Sequence, residues 1–391
     1  MRRSTRFASA LVVSALTAAC AEPTATGAAP GERLAALTDE ERARFLLGRA
    51  LFERIATPEE GLGPLFNAER CSGCHDQPTV GGGGATVPVL KATRFVDGTC
   101  SQLQELGGDN LQQRVTPLAR AAGFGAESPP PEATATVAVV APPLYGLGLI
   151  EAVAVQELER RADPTDADGD GISGRLPLRS DGQVARFGRK GDAVTVREFV
   201  ESALLFELGF TTDASPVDEA HNGTALPASV DPAPDPEMDA ETVGLLTDYI
   251  RLLASVAPAP VEGGSADSVR AGSDVFGRVG CARCHTPELT TGDAPEGALR
   301  HRTIALYSDL LLHDLGGAES DVCTAVAAPG ELRTAPLWGL RLRRSLMHGG
   351  TAPDVEAAIL QHGGEAAAVV AAFNGLEAPE RAALLRFLSS L

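Results

Sequence analysis

Cys71-Ser72-Gly73-Cys74-His75 and Cys281-Ala282-Arg283-Cys284-His285 are the two stretches on which the reading of this chain turns. Each is a C-x-x-C-H pattern, the signature of covalent haem attachment. Two thiols one turn apart can bond the two vinyl groups of one porphyrin, and the adjoining histidine comes under the iron as proximal ligand. The pattern therefore assigns Cys71, Cys74, Cys281 and Cys284 to two covalently bound haem c groups, and His75 and His285 to their irons. A structural zinc site would need the two cysteine pairs much closer in sequence. A thioredoxin-like pair would follow a strand and would not require His directly after the second Cys.

Three of the seven cysteines lie outside these motifs: Cys20, Cys100 and Cys323. Arg2, Arg3 and Arg6 precede an apolar run from Phe7 to Ala19, which ends in Leu16-Thr17-Ala18-Ala19-Cys20. Residues 1–20 thus read as a secretory signal, too short for a transmembrane span. The small residues before Cys20 resemble a lipoprotein signal, with Thr17 standing where Leu is usual; plain release is the other reading. The expected location is the periplasmic side of a bacterial cell envelope, with membrane contact only through a lipid on Cys20. In that oxidising compartment Cys100 and Cys323 either form a disulfide or stay as two buried thiols.

The charge balance, 52 acidic against 33 basic residues and a net −19, excludes the basic surface that nucleic acid demands. It suits a cationic partner such as a small basic donor cytochrome, and equally serves solubility alone. Aromatic residues make up only 4%, beside 42 Gly and 27 Pro, a composition that permits a large apolar cofactor in the core.

The surroundings of the two motifs repeat. Thr38-Asp39-Glu40-Glu41 opens an amphipathic helix as a capping box, and Gly48 to Phe52 within it has the spacing of Gly272 to Phe276 before the second motif. Each half closes on a helix, with Leu245, Leu246, Tyr249, Ile250, Leu252 and Leu253 in the first and Leu384, Leu385, Phe387, Leu388 and Leu391 in the second. The expected fold is mainly α: two tandem cytochrome c-like domains, the first enlarged by loop-rich insertions. The bounds are a flexible linker at 21–37, an N-terminal haem domain at 38–258, a Pro/Gly linker at 259–266 and a C-terminal haem domain at 267–391. Within the insertion, Asp166-Ala167-Asp168-Gly169-Asp170-Gly171 has the opening of a calcium loop, but Pro177 stands at the twelfth position, where Glu belongs. It reads as a calcium site or as a solvated Asp/Gly turn.

Several stretches resemble the bacterial di-haem oxidoreductases described as peroxidases or thiol oxidoreductases, relatives of the di-haem cytochrome c peroxidases. They are Gly63–Asn67, Pro143–Glu151, Asp168–Gly174, Arg186–Lys190, Tyr307–Asp314 and Thr334–Leu340. The resemblance spans residue 45 to the C-terminus and implies architecture more firmly than reaction. By it, Glu207 is the distal acid/base and His362 the sixth ligand of the C-terminal iron where the peroxidases carry Met. Glu151, at the end of the Gly-rich Leu149-Ile150 stretch, is a second acid/base candidate, and a surface carboxylate is the other reading of either Glu. The resemblance also shows departures: Phe187 lies near the place of a Trp between the haems, and Phe199 falls where a Gln is expected.

Histidine counting bears on the other iron without any relative. Apart from His75 the first 220 residues contain no histidine, and the methionines are Met1, Met238 and Met347. The N-terminal iron is thus expected to be open unless His221 loops back, and an open iron binds a small oxidant such as hydrogen peroxide. His348 reads as a hydrogen-bonding residue with Met347 as an alternative ligand, and His301 and His313 as surface or hydrogen-bonding residues. The leading expectation is a peroxidase-like enzyme fed by a donor cytochrome or other redox protein, the C-terminal haem relaying electrons. The alternatives are a non-catalytic electron carrier and an enzyme that oxidises or oxygenates a macromolecule.

Overall fold

The computed structural model describes residues 27–84, 88–261, 264–316 and 322–391. The signal 1–20, with Cys20, lies outside the described residues. The helices that frame the two motifs are, in chain order, α1 (Asp39–Glu53), α2 (Val196–Ala203), α3 (Ala240–Leu252), α4 (Ala266–Val279), α5 (Val355–Leu360) and α6 (Ala378–Leu388). Thr38 starts α1 as a closed capping box: its hydroxyl accepts from the Glu41 N–H, and the Glu41 carboxylate accepts from the Thr38 N–H at 2.7 Å.

The Gly-to-Phe spacing repeats because the same helix crossing is built twice. In the first half α1 lies on α3, and a Cβ on Gly48 would stand 2.0 Å from the Leu245 carbonyl oxygen. In the second half α4 lies on α6, and a Cβ on Gly272 would stand 2.1 Å from the Ala383 carbonyl oxygen. Only glycine lets the backbones approach so closely. One turn further on, Phe52 packs 5.0 Å from Tyr249, and Phe276 packs 5.4 Å from Phe387. Such ring pairs add about 0.5–1.5 kcal/mol beyond the area they bury.

The expectation of a mainly α fold needs correction: the chain is 33% helical and 15% strand. The insertion after the first motif is a four-stranded antiparallel sheet. Its central strand β1 (Val89–Val96) pairs with β2 (Thr99–Ser101), β3 (Asp109–Leu111) and β4 (Ala135–Val139). Its β-branched and aromatic residues, Val89, Thr93, Phe95 and Val96, suit a pleated surface better than a helix. A disulfide between Cys100 on β2 and Cys323, with Cα atoms 5.9 Å apart, ties this sheet to the second half.

Two boundaries also shift. Residues 27–37 are no flexible linker: Gly27–Ala28 pairs with Ser255–Val256, and Leu34 and Leu37 are buried in the core. The halves do not have separate cores either. Leu289, Leu299, Ile304, Leu306, Leu310 and Leu311 of the second half join the large core of the first, while a smaller core gathers around α4 and α6. No described helix is long and apolar enough to cross a membrane.

Candidate active site

Both motifs form a short 3-10 turn, Cys71–Gly73 and Cys281–Arg283. The turn brings each histidine back over its first cysteine, with His75 N–H donating to Cys71 O at 3.1 Å and His285 N–H to Cys281 O at 2.9 Å. None of the four thiols is in a disulfide. His75 Nδ1 lies 3.1 Å from Gly82 O, and His285 Nδ1 lies 3.0 Å from Tyr307 O. A ring nitrogen donating to a carbonyl leaves Nε2 with its lone pair free for a metal. Burial keeps both imidazoles neutral, pushing His285 down to about 4 with His362 adding to the effect. Two free thiols and one oriented imidazole per motif, beside Phe52 in one half and Phe276 and Tyr307 in the other, fit a porphyrin at each place.

What faces these histidines differs. In the second half His362, just after α5, sits with its ring 6.5 Å from that of His285. Two imidazoles that bind one metal from opposite sides, each at about 2 Å, have about that separation. His362 Nδ1 is held by Ala358 O at 2.8 Å, so here too Nε2 is the free nitrogen. The other described histidines do not pair with His75. His221 does not loop back: it contacts Gly125 O at 3.1 Å and packs edge-on to Phe124. His301 pairs with Asp293, and His348 Nδ1 meets Arg189 at 2.8 Å. His313 is held between Asp309 at 2.9 Å and Glu365 at 3.0 Å. Burial opposes its charge, but these carboxylates outweigh that and push it up to about 12. Met238 is buried beside a cavity that Cys71 also lines, whereas Met347 packs in the smaller core of the second half.

Glu207 lies near Cys74. It sits in the one π-helical turn among the described residues, Leu204–Leu208, which continues α2. Such turns interrupt α-helices frequently at functional sites. The widened turn is clasped by the segment before the first motif: Asn67 N–H donates to Glu207 O at 2.7 Å and Ala68 N–H at 3.1 Å. The carboxylate accepts from Asn67 Nδ2 at 3.0 Å and from Asn110 Nδ2 at 2.7 Å. Burial pushes the acid up to about 7 against the pull of these amides and of Lys91, which itself pairs with Asp109 at 3.2 Å. A carboxyl near 7 exchanges protons readily in either direction. The sequence names Glu207 as a candidate but not its partner Asn67, nor Asn110 and Lys91, which both arrive on the inserted sheet.

Glu151 is corrected from acid/base candidate to structural residue. Its Oε1 accepts from Val196 N–H at 2.8 Å, at the start of α2, and its Oε2 pairs with Arg251 at 2.5 Å. Arg251 also grips Glu296 of the second half, so one Glu151 oxygen meets the start of α2 and the other holds the arginine that bridges the halves. Phe187 is buried at 3% exposure within the large core, and Phe199 packs against it. In the Asp-rich loop, Asp163, Asp166 and Asp168 bring carboxylate oxygens within 4.8 Å of one another. Those same carboxylates accept loop N–H groups, as in Asp166 to Gly171.

The model of the family described as "Di-haem oxidoreductase, putative peroxidase" matches residues 134–391, and the chain belongs to that family. The matched span holds the second C-x-x-C-H motif, and the first lies upstream of it. Membership assigns haem cofactors and oxidoreductase chemistry. No curated protein matches the chain. Among solved structures it is similar to the hydrazine synthase of Kuenenia stuttgartiensis, at 14% identity and TM-score 0.42 over 98% of this chain and 100% of that one. It is similar to a MauG-like protein associated with microbial copper homeostasis, at 16% identity and TM-score 0.41 over 93% and 92%. The diheme peroxidase BthA of Burkholderia thailandensis follows at 13% and 0.39 over 89% and 86%.

Proposed function

We propose that this chain is an exported c-type cytochrome with peroxidase-like activity, in which the N-terminal haem is the reaction site and the C-terminal haem relays electrons. The observation that carries this reading is the asymmetry of the two motifs. His285 faces the imidazole of His362, whereas no second imidazole among the described residues faces His75, and the carboxyl of Glu207 acts on Cys74 of the first motif. Cys71, Cys74 and His75 would hold one haem, and Cys281, Cys284 and His285 the other, with His362 as a further ligand to the second. When bound, the haem irons supply the electron-transfer chemistry.

The chain's own residues supply the proton chemistry. Reducing one hydrogen peroxide to two waters consumes two electrons and two protons. A donor protein delivers the electrons, and the net charge of −19 favours a cationic cytochrome in that role. Glu207, held by Asn67 and Asn110, would accept a proton from one peroxide oxygen and return it to the other. Lys91 keeps the transient carboxylate in a positive field. Residues 1–20 direct export, Cys20 carries the lipid, and calcium binds among Asp163, Asp166 and Asp168.

Electron paramagnetic resonance of the oxidised holoprotein tests the asymmetry. One high-spin and one low-spin haem are expected, with peroxide turnover in the presence of a reduced cytochrome. Two low-spin haems and no turnover at any redox state overturn the reading in favour of a pure electron carrier.

A further inference from the structure

The stretch Arg186-Phe187-Gly188-Arg189-Lys190 brings Arg189 and Lys190 to the seam between the halves, where they meet Arg333, Arg343 and His348 of the second half. Arg189 Nη1 lies 2.8 Å from His348 Nδ1, and Val140 N–H donates to His348 O at 3.2 Å, closing the seam. Lys190, only 4% exposed, spends its ammonium on the carbonyls of Ala328 at 2.9 Å and Glu331 at 2.7 Å. Arg333 donates to Gly188 O at 3.0 Å and Thr334 O at 3.1 Å. Arg343 donates to Pro336 O at 2.6 Å, and its buried Nε has no partner among the described residues.

No carboxylate among the described residues lies within salt-bridge distance of Lys190, Arg333 or Arg343, although Asp192, Asp309, Asp314 and Glu331 act on Lys190 or Arg333 from further off. Burial pulls all three down, Lys190 to about 8 and both arginines to about 10, and nothing pulls Arg343 back. His348, under burial and the four cations, is held neutral. Buried cations with no carboxylate in contact are strongly unfavourable, most of all Arg343, so such a cluster is built for an anion. Its position says which. Arg343 stands between Leu340 and Leu346, both in the apolar core that also contains Cys281 and Tyr307, whose carbonyl holds His285.

We propose that Arg333 and Arg343, joined across the seam by Arg189 and Lys190, hold the two propionate carboxylates of the haem attached at Cys281 and Cys284. The acid edge of that haem is then the joint between the halves. This rests on the proposed attachment of haem at the second motif. It adds that the cluster neutralises the haem's two negative charges and raises its reduction potential.

The test is a redox titration of the holoprotein with Arg343→Gln, each sample weighed by mass spectrometry for two attached haems. The low-spin haem is expected to shift to lower potential by at least a tenfold change in its reduction equilibrium, about 59 mV for one electron. Arg343→Lys, which keeps the charge, and Arg278→Gln on the exposed face of α4 should stay near the wild type. An unchanged potential in Arg343→Gln with both haems attached overturns the proposal. Should that variant not fold, redox-induced infrared difference spectra of the wild type decide. Ionised propionate bands at neutral pH support the clamp, and a protonated acid band overturns it. Wild-type protein with no haem at the second motif sinks instead the reading on which the proposal rests.

Discussion

The two halves use one frame and fill it differently. Each lays a helix over a C-x-x-C-H turn at a glycine crossing, and each orients its histidine by a backbone carbonyl. The second half then spends the short helix α5 on delivering His362 opposite His285. The first half spends a whole sheet on the surroundings of Glu207. A repeated scaffold thus builds the same turn twice, while the added material decides what stands near it: an imidazole opposite His285, a carboxyl acting on Cys74.

The comparison breaks most completely at the attachment cysteines. Cys71→Ala with Cys74→Ala should abolish the high-spin signal and all turnover, while Cys281→Ala with Cys284→Ala should remove the low-spin signal, both read by mass and spin resonance. Glu207→Gln, which keeps shape and loses the titrating group, should slow peroxide turnover by about 10²–10⁴-fold with the low-spin haem untouched. Because the Glu207 carboxyl is pushed up to about 7, it is mostly protonated below that pH and cannot accept a proton. Wild-type turnover should therefore fall as pH drops through about 7, and this limb should vanish in the variant. A variant that kept the limb would take Glu207 out of the reaction.

Smaller effects test the frame itself. Cys323→Ala opens a link that spans 223 residues and should cost about 2–4 kcal/mol of unfolding free energy, read by denaturant titration. Gly48→Ala and Gly272→Ala should each cost about 1–3 kcal/mol by forcing helices apart at carbonyls 2.0 and 2.1 Å from the new Cβ. Equal losses would mean the two crossings are energetically alike. Met238→Leu should change neither spin state, and a new high-spin fraction would instead make Met238 a ligand.

Much of this could be read from residues. The thiols and proximal histidines are contiguous in sequence, so local spacing alone carries their chemistry. The paired Gly48 and Gly272 gave away the duplicated crossing. Glu207 was legible only by resemblance, for nothing local marks a π turn. The sheet escaped notice because Val89–Val96 carries no clean alternation, Leu90 and Lys91 both being half-buried. Glu151 looked like a site residue until Val196 and Arg251 were found on its two oxygens.

The sequence by itself determined two C-x-x-C-H turns, the histidine that closes each and the helices around them, because those features depend on neighbours within a few turns of chain. Only the tertiary structure decided that His362 faces His285, that Asn67 and Asn110 converge on Glu207, and that four cations from both halves meet at the seam. These depend on groups from distant parts of the chain sharing one buried environment, and burial, which sets both the charge and the partner of each group, is not a property of any local stretch.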